Sequence, residues 1–315
     1  MIISASRRTD IPTYYSEWFA NRVKEGYLYV RNPMNASQVS KINLSPDVVD
    51  CIVFWTKNPI PMLSRLDAFE QYPFYFQFTL TGYSDDIESG LPDKWGKLVP
   101  AFIELSKQIG SDRVIWRYDP IVFNDRYDEM YHLDTFARLS EALSGYTEKC
   151  VISFVDIYQK NIKNMKALNN SDPSEDMLLD FAGKLSRIAK DNGMVIATCA
   201  EKIDLSSVGI EHNACIDKEM VERIAGGTLT IKKDPNQREE CGCVSSIDIG
   251  TYNSCANGCK YCYANYSPEC VRTNMKRYAP MSEILCDTLR PEEKDHATVR
   301  EMKSLLEKQM MLKMP

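Results

Sequence analysis

At 315 residues, with 44% hydrophobic and 10% aromatic side chains, the chain can fill one large α/β core or two smaller ones. A net charge of -6 excludes broad non-specific affinity for nucleic acid and leaves only a local basic groove for such a partner. The opening Met-Ile-Ile-Ser-Ala-Ser-Arg-Arg lacks the long apolar run of a secretion signal, and no window approaches the roughly 20 apolar residues of a membrane helix. A cytoplasmic protein with no membrane partner is the expectation.

Short apolar runs then alternate with amphipathic stretches. Ile2–Ser6 reads as a strand and is followed by an aromatic-rich helix from about Tyr14 to Lys24. Tyr27 to Leu44 has hairpin features, with Asn32-Pro33 as a turn signal. Strands are expected at Cys51–Thr56, Phe74–Leu80, Arg113–Tyr118, Cys150–Val155 and Met194–Cys199. Helices near Pro61–Phe69, Lys97–Gln108, Tyr131–Leu143 and Glu175–Asn192 separate them. Ser245–Thr251 leads straight into a cysteine-rich loop. Near-continuous apolar strands between helices predict a parallel sheet with helices outside it. Seven such strands predict an α/β fold, a full or partial (β/α) barrel over residues 1–290, with the cysteine loop at 252–266. A helical tail over 291–315, rich in Lys, Glu and Met, is expected to pack on it.

In parallel α/β barrels the chemistry sits at the carboxyl ends of the strands. Those ends carry Ser6-Arg7-Arg8-Thr9-Asp10, Thr56-Lys57-Asn58, Thr79 with Thr81, Arg117-Tyr118-Asp119-Pro120, Asp156, and Cys199 with Glu201. Arg7, Arg8 and Asp10 suit a carboxylate or phosphate ligand, or else form a salt-bridged cap. Arg117 has Asp119 as an alternative, structural partner. Glu201 is a general acid/base candidate, or simply a solvated loop residue.

Eleven cysteines need a reason in a reducing compartment, where structural disulfides are rare. Cys51, Cys150 and Cys286 sit among apolar neighbours and read as small buried hydrophobes. Cys255, Cys259 and Cys262 converge in a tight loop to which Asn257 and Gly258 lend backbone freedom. Three thiolates can hold three irons of a [4Fe-4S] cubane and leave one iron open, whereas most clusters take four cysteines. A zinc knuckle is the alternative, although zinc sites usually show two Cys-x2-Cys pairs. Cys199, Cys215, Cys241 and Cys243 could make an auxiliary iron–sulfur cluster or a zinc site. Against this, Cys241 and Cys243 precede a strand, and five residues of strand span roughly 17 Å. The connection would have to fold back over the rim, and otherwise the cysteines are reduced and structural. His132, His212 and His296 show no metal-ligand spacing.

The pattern C-x3-C-x-aromatic-C, with Tyr261 as the aromatic, resembles that of radical S-adenosylmethionine (SAM) enzymes. Ile52-Val-Phe-Trp-Thr56-Lys57-Asn58-Pro, Phe76-Gln-Phe-Thr79-Leu-Thr81 and Val114-Ile-Trp-Arg117-Tyr-Asp119-Pro120 resemble the strand series of spore photoproduct lyase-type members, in permuted order. The chain as a whole resembles a bacterial family of unknown function with a radical-SAM-type cysteine cluster at its C-terminus. Ser-Ala-Ser-Arg-Arg-Thr-Asp-Ile-Pro, Phe-Trp-Thr-Lys-Asn-Pro, Trp-Arg-Tyr-Asp-Pro and Arg238-Glu-Glu-Cys-Gly-Cys243 carry that likeness.

The resemblance implies a circularly permuted barrel binding a [4Fe-4S] cluster and SAM. One electron, from a donor such as flavodoxin or ferredoxin, would cleave SAM to a 5′-deoxyadenosyl radical that abstracts hydrogen from substrate. Lys57 would meet the methionyl carboxylate, Thr79 would help hold SAM, and Tyr261 would lie near the adenine. Arg117 completes the expected cofactor set, with Arg8, Asp10 and Glu201 as catalytic candidates. The Gly-Gly-Glu motif that holds the SAM amino end in such enzymes is absent. The substrate class is a small molecule, a nucleotide or a nucleic acid. The rival functions are a non-catalytic zinc or iron–sulfur protein and a nucleic-acid repair or modification factor.

Overall fold

The computed structural model describes residues 1–299 and 303–308. Eight strands form one all-parallel sheet: β1 (Ile2–Ala5), β2 (Cys51–Thr56), β3 (Phe74–Thr79), β4 (Val114–Ile121), β5 (Lys149–Phe154), β6 (Val195–Thr198), β7 (Glu211–His212) and β8 (Ile247–Asp248). Their spatial order is β8-β1-β2-β3-β4-β5-β6-β7. The seven expected strands are all present, and β7 is an addition. The order is sequential, and among the described residues no ladder joins the edge strands β7 and β8.

Period-two alternation decides what each face buries. Ile3, Ile52, Phe54, Phe76, Trp116 and Ile152 face one core, packed with Phe19, Phe102, Phe136, Phe181 and Leu185 from the helices. Four helices supply that layer: α1 (Ser16–Glu25), α2 (Val99–Ile109), α3 (Glu129–Leu143) and α4 (Glu175–Asp191). Ile2, Val53, Tyr75, Ile115 and Val151 face the other way, onto Cys215, Ile216, Val221, Leu229, Cys241, Cys243 and Val244. The connection from β7 to β8, including the helix α5 (Lys218–Ala225), therefore covers the second face. With both faces dry, the strands read as continuous apolar runs.

Two expected helices differ. Pro61–Phe69 is split into a turn, Ile60–Leu63, and a 3₁₀ segment, Leu66–Phe69. The expected helical tail begins as a single turn, Pro291–Asp295. Thr298–Val299 then adds in parallel to the hairpin of Tyr27–Asn32 and Asn35–Asn43, and Leu306–Lys308 pairs antiparallel with Gly227–Leu229. The rest of that tail, 300–302 and 309–315, lies outside the described residues. Strand edges offer this charged segment backbone partners that an isolated short helix lacks.

His132 on α3 is fully buried, with Tyr118 Oη 2.8 Å from Nδ1 and the Val122 carbonyl 3.0 Å from Nε2. Burial draws its pKa down to about 4. A base depressed in the folded state supplies stability that is present above its unfolded pKa and is lost on acidification. Between pH 6.5 and 4 the wild type should lose up to about 3 kcal/mol through this residue. Urea titrations across that range should show a shallower pH slope for His132→Gln. Identical slopes would contradict the assignment.

Candidate metal and cofactor site

Two carboxylates join the ends of the chain at the rim. Asp248 on β8 accepts from Ser6 Oγ at 2.6 Å, Ser4 Oγ at 3.2 Å and Arg7 N at 2.8 Å, tying β8 to β1. Asp10, just past β1, is buried and accepts four hydrogen bonds. They come from Thr56 Oγ1 and Lys57 N at 2.8 Å, and from Thr13 N and Asn257 Nδ2 at 3.0 Å. Burial pushes the Asp10 pKa up, while these donors hold the charged form. Asp10, expected to be catalytic, is in this structure the joint between β1, β2 and the cysteine loop.

The cysteine loop is braced by amides. Asn265 Oδ1 accepts from Ser254 N and Cys255 N at 2.8 and 2.9 Å, and its Nδ2 donates to the Arg8 carbonyl at 3.1 Å. Asn253 Oδ1 accepts from Tyr266 N and Ser267 N. Gly258 has φ 67°, and a Cβ there would lie 2.3 Å from Ser89 Oγ. Asn257 contributes through its side chain, taking a 2.8 Å bond from Tyr14 Oη as well as holding Asp10.

The segment after β3 pairs with this loop. Glu88 and Cys259 form an antiparallel bridge, with Lys260 N donating to the Ile87 carbonyl at 3.0 Å and Gly90 N to that of Asn257 at 2.9 Å. Glu88 is fully buried. Its carboxylate takes Lys57 Nζ at 2.8 Å, Thr81 Oγ1 at 3.0 Å, Lys94 Nζ and the Tyr261 hydroxyl. Burial opposes the charge, but the two lysines overcome it and hold the pKa at about 2. Lys57 is raised by the same contact, whereas burial draws Lys94 down, so Lys57 carries the firmer charge. Its ammonium also lies 5.3 Å from the Tyr261 ring centre. Burial and neighbouring anionic groups push Cys255 well up and Cys259 to about 12, so bare thiolates at these two positions are costly without a cation.

A second thiol group lies across the rim. Cys199 Sγ is 3.3 Å from Cys215 Sγ, and Cys241 and Cys243 line the same cavity. The connection does fold back: Val244 N donates to the Ile216 carbonyl at 3.1 Å, and Ile216 N to Cys243 Sγ at 3.3 Å. Bonds from Cys199 and Cys243, with Arg117 Nη1 at 2.8 Å, hold Cys215 well below the usual thiol range. Cys241 is lowered to about 6 by its bond to Cys243.

One cavity of about 470 Å³ collects these groups, within the usual size of a ligand pocket. All seven site cysteines line it, as do Arg8, Asp10, Lys57, Thr79, Arg117 and Tyr261. Glu201 does not. It receives the Phe154 N–H at 2.7 Å, and burial raises its pKa to about 8. Arg117 is committed to Asp119 Oδ2 at 2.9 Å through Nε, to Gln77 Oε1 at 3.2 Å and to Cys215, away from the three-cysteine loop. Arg8 approaches Asp248 at 3.8 Å and lies over the Tyr252 ring. Tyr261 packs into the chain's own aromatic cluster beside Tyr83. Among the described residues no group of three or more His, Cys, Asp or Glu side chains is preformed to hold a metal ion. Cys51, Cys150 and Cys286 are buried, as expected.

The sequence reading missed Glu88, Asp248, Asn253 and Asn265. A family model described as "Domain of unknown function (DUF1848)" matches residues 2–264, and the chain belongs to that family. The match extends through Cys262. No curated protein matches the chain.

Glu88 is the part of this site most exposed to a single change. In Glu88→Gln, Lys57 and Lys94 share no counter-charge in a buried setting, and stability should fall by about 3–5 kcal/mol. Urea unfolding checks this, and Glu88→Gln/Lys94→Met should recover part of the loss. An unchanged midpoint would rule out the buried triad.

Proposed function

We propose that this member of the DUF1848 family is a radical SAM enzyme whose sheet is a circularly permuted (β/α) barrel. Carrying the reading is the convergence of Cys255, Cys259 and Cys262 with Lys57 and Thr79 on one rim cavity, although the cysteines lie some 200 residues after Lys57. The residues suit the groups in number and kind. Three half-buried thiols match a cubane that keeps one iron free for SAM. The cluster, when bound, supplies the electron that cleaves SAM to a 5′-deoxyadenosyl radical able to take hydrogen from a substrate.

The chain's own residues have simpler tasks. Cys255, Cys259 and Cys262 hold the cluster, and the amides of Asn253 and Asn265 fix their loop. Lys57 is poised by Glu88 to face an anion, the role proposed for it toward the SAM carboxylate. Lys57 and Lys94 both meet the Glu88 carboxylate, which keeps a charged ammonium on the cavity wall where an anionic group can reach it. Thr79 offers a hydroxyl on the same wall. Asp10 keeps β1, β2 and the loop in register. A flavodoxin- or ferredoxin-type protein supplies the electron.

After anaerobic reconstitution with iron and sulfide, the protein should become brown and release 5′-deoxyadenosine from SAM on reduction with dithionite. Lys57→Ala should keep its iron while yield falls at least tenfold at low SAM, the loss of a charge-assisted contact. One zinc per chain, no iron at the loop and no SAM cleavage would sink the proposal.

A further inference from the structure

We propose that Cys199, Cys215, Cys241 and Cys243 are the ligands of a second metal centre, separate from the three-cysteine loop. Residues just past β6, from the segment after β7 and from the approach to β8 bring four thiols to one cavity although up to 44 positions separate them. Cys199 Sγ lies 3.3 Å from Cys215 Sγ, Cys243 Sγ accepts from Ile216 N next to Cys215, and all four cysteines line the one cavity. Four cysteines are the full complement of a closed structural zinc site or of an iron–sulfur cluster.

Donors aimed at these thiols are the independent observation. Arg117 Nη1 lies 2.8 Å from Cys215 Sγ, Asn213 Nδ2 lies 3.5 Å from the same sulfur, and Ile216 N donates to Cys243. Among the described residues, Arg7 Nη2 and Trp55 Nε1 are buried without a hydrogen-bond partner. Arg7 lies over the Trp55 ring at 5.3 Å, and its charge couples most strongly, among side chains, to Cys243 and Cys215. Neutral thiols are weak acceptors and leave such donors stranded, whereas metal-bound thiolates are anionic acceptors for them. A divalent ion on four thiolates retains two negative charges, for which two buried guanidiniums are suitable neighbours.

Spacing selects the kind of centre. Four sulfurs about 2.3 Å from one tetrahedral ion lie about 3.8 Å from each other. The Cys199–Cys215 separation of 3.3 Å is close to that. A cubane places its cysteine sulfurs on four different irons and spreads them further. This one short pair favours a single zinc-class ion, which would draw the four thiols together.

The test uses the full chain, purified anaerobically with zinc and iron in the medium, in three forms. In Cys255→Ala/Cys259→Ala/Cys262→Ala, one zinc per chain should remain, and X-ray absorption at the zinc edge should show four sulfurs at about 2.3 Å. In Cys241→Ser/Cys243→Ser that zinc should be lost, while reconstituted iron at the loop is retained. The wild type, measured directly, guards against misfolding of either variant. Four irons and no zinc in the triple variant would keep the four-thiolate site but overturn the single ion. No metal in the triple variant, or a Cys199–Cys215 disulfide in its place, would overturn the centre itself. Loss of iron from the loop in wild type with the zinc intact would refute the proposed function and leave this site standing.

Discussion

Everything at the rim depends on how Asp10 and Asp248 close the chain on itself. The ladder between β1 and β8 has only two residue pairs, Ile3 with Ile247 and Ser4 with Asp248. So short a ladder adds little, and the loop it closes spans nearly the whole described chain. Doubling a loop's length adds only about 0.6 kcal/mol to its closure cost, so side-chain bonds at the junction can offset it. Asp248 takes three donors from β1 and its exit, and Asp10 links that exit to β2 and to Asn257. The late cysteine loop is thereby placed beside residues from the first strand. Position in sequence and position on the rim become independent.

Electrostatics then explain why the site is built from so many compensating polar groups. Cys255 and Cys259 resist ionisation because of desolvation and the anionic groups close to them. Glu88 holds Lys57 charged next to them, with Lys94 and Tyr261 saturating the same carboxylate. An anionic group entering this space meets a fixed cation instead of one that must first be ordered. Across the cavity Arg7 and Arg117 play the corresponding part beside Cys215 and Cys243. Both halves of the cavity combine sulfur with buried cations, an arrangement that a purely structural thiol cluster does not require.

Much of this was legible in the sequence for a physical reason. Strands buried on both faces are continuous apolar runs, so β1 to β6 and β8 stood out, and the residues just after them are the rim. Lys57, Thr79 and Arg117 are placed at the rim by that rule, whereas the seven cysteines were found by their number and spacing. Asp10 was singled out by position, but its four donors are visible only in three dimensions. Glu88, Asn253 and Asn265 lie in loops, where a polar residue carries no periodicity. The exception is Asp248, a carboxylate between two isoleucines, which could have been flagged as a buried charge needing partners. The doubt over Cys241 and Cys243 rested on a five-residue strand, whereas β8 has two residues and the connection folds back before it begins. The tail misled because its Lys and Glu content suits a helix, while free strand edges captured it instead.

The central claim concerns what the loop at residues 255–262 holds. Anomalous diffraction from anaerobically reconstituted crystals, recorded on both sides of the iron edge, tests it most directly. The account predicts iron density bounded by the Cys255, Cys259 and Cys262 sulfurs, with the side toward Lys57 free of protein ligands. Zinc alone at those three sulfurs, or a fourth protein ligand closing that side, would contradict it.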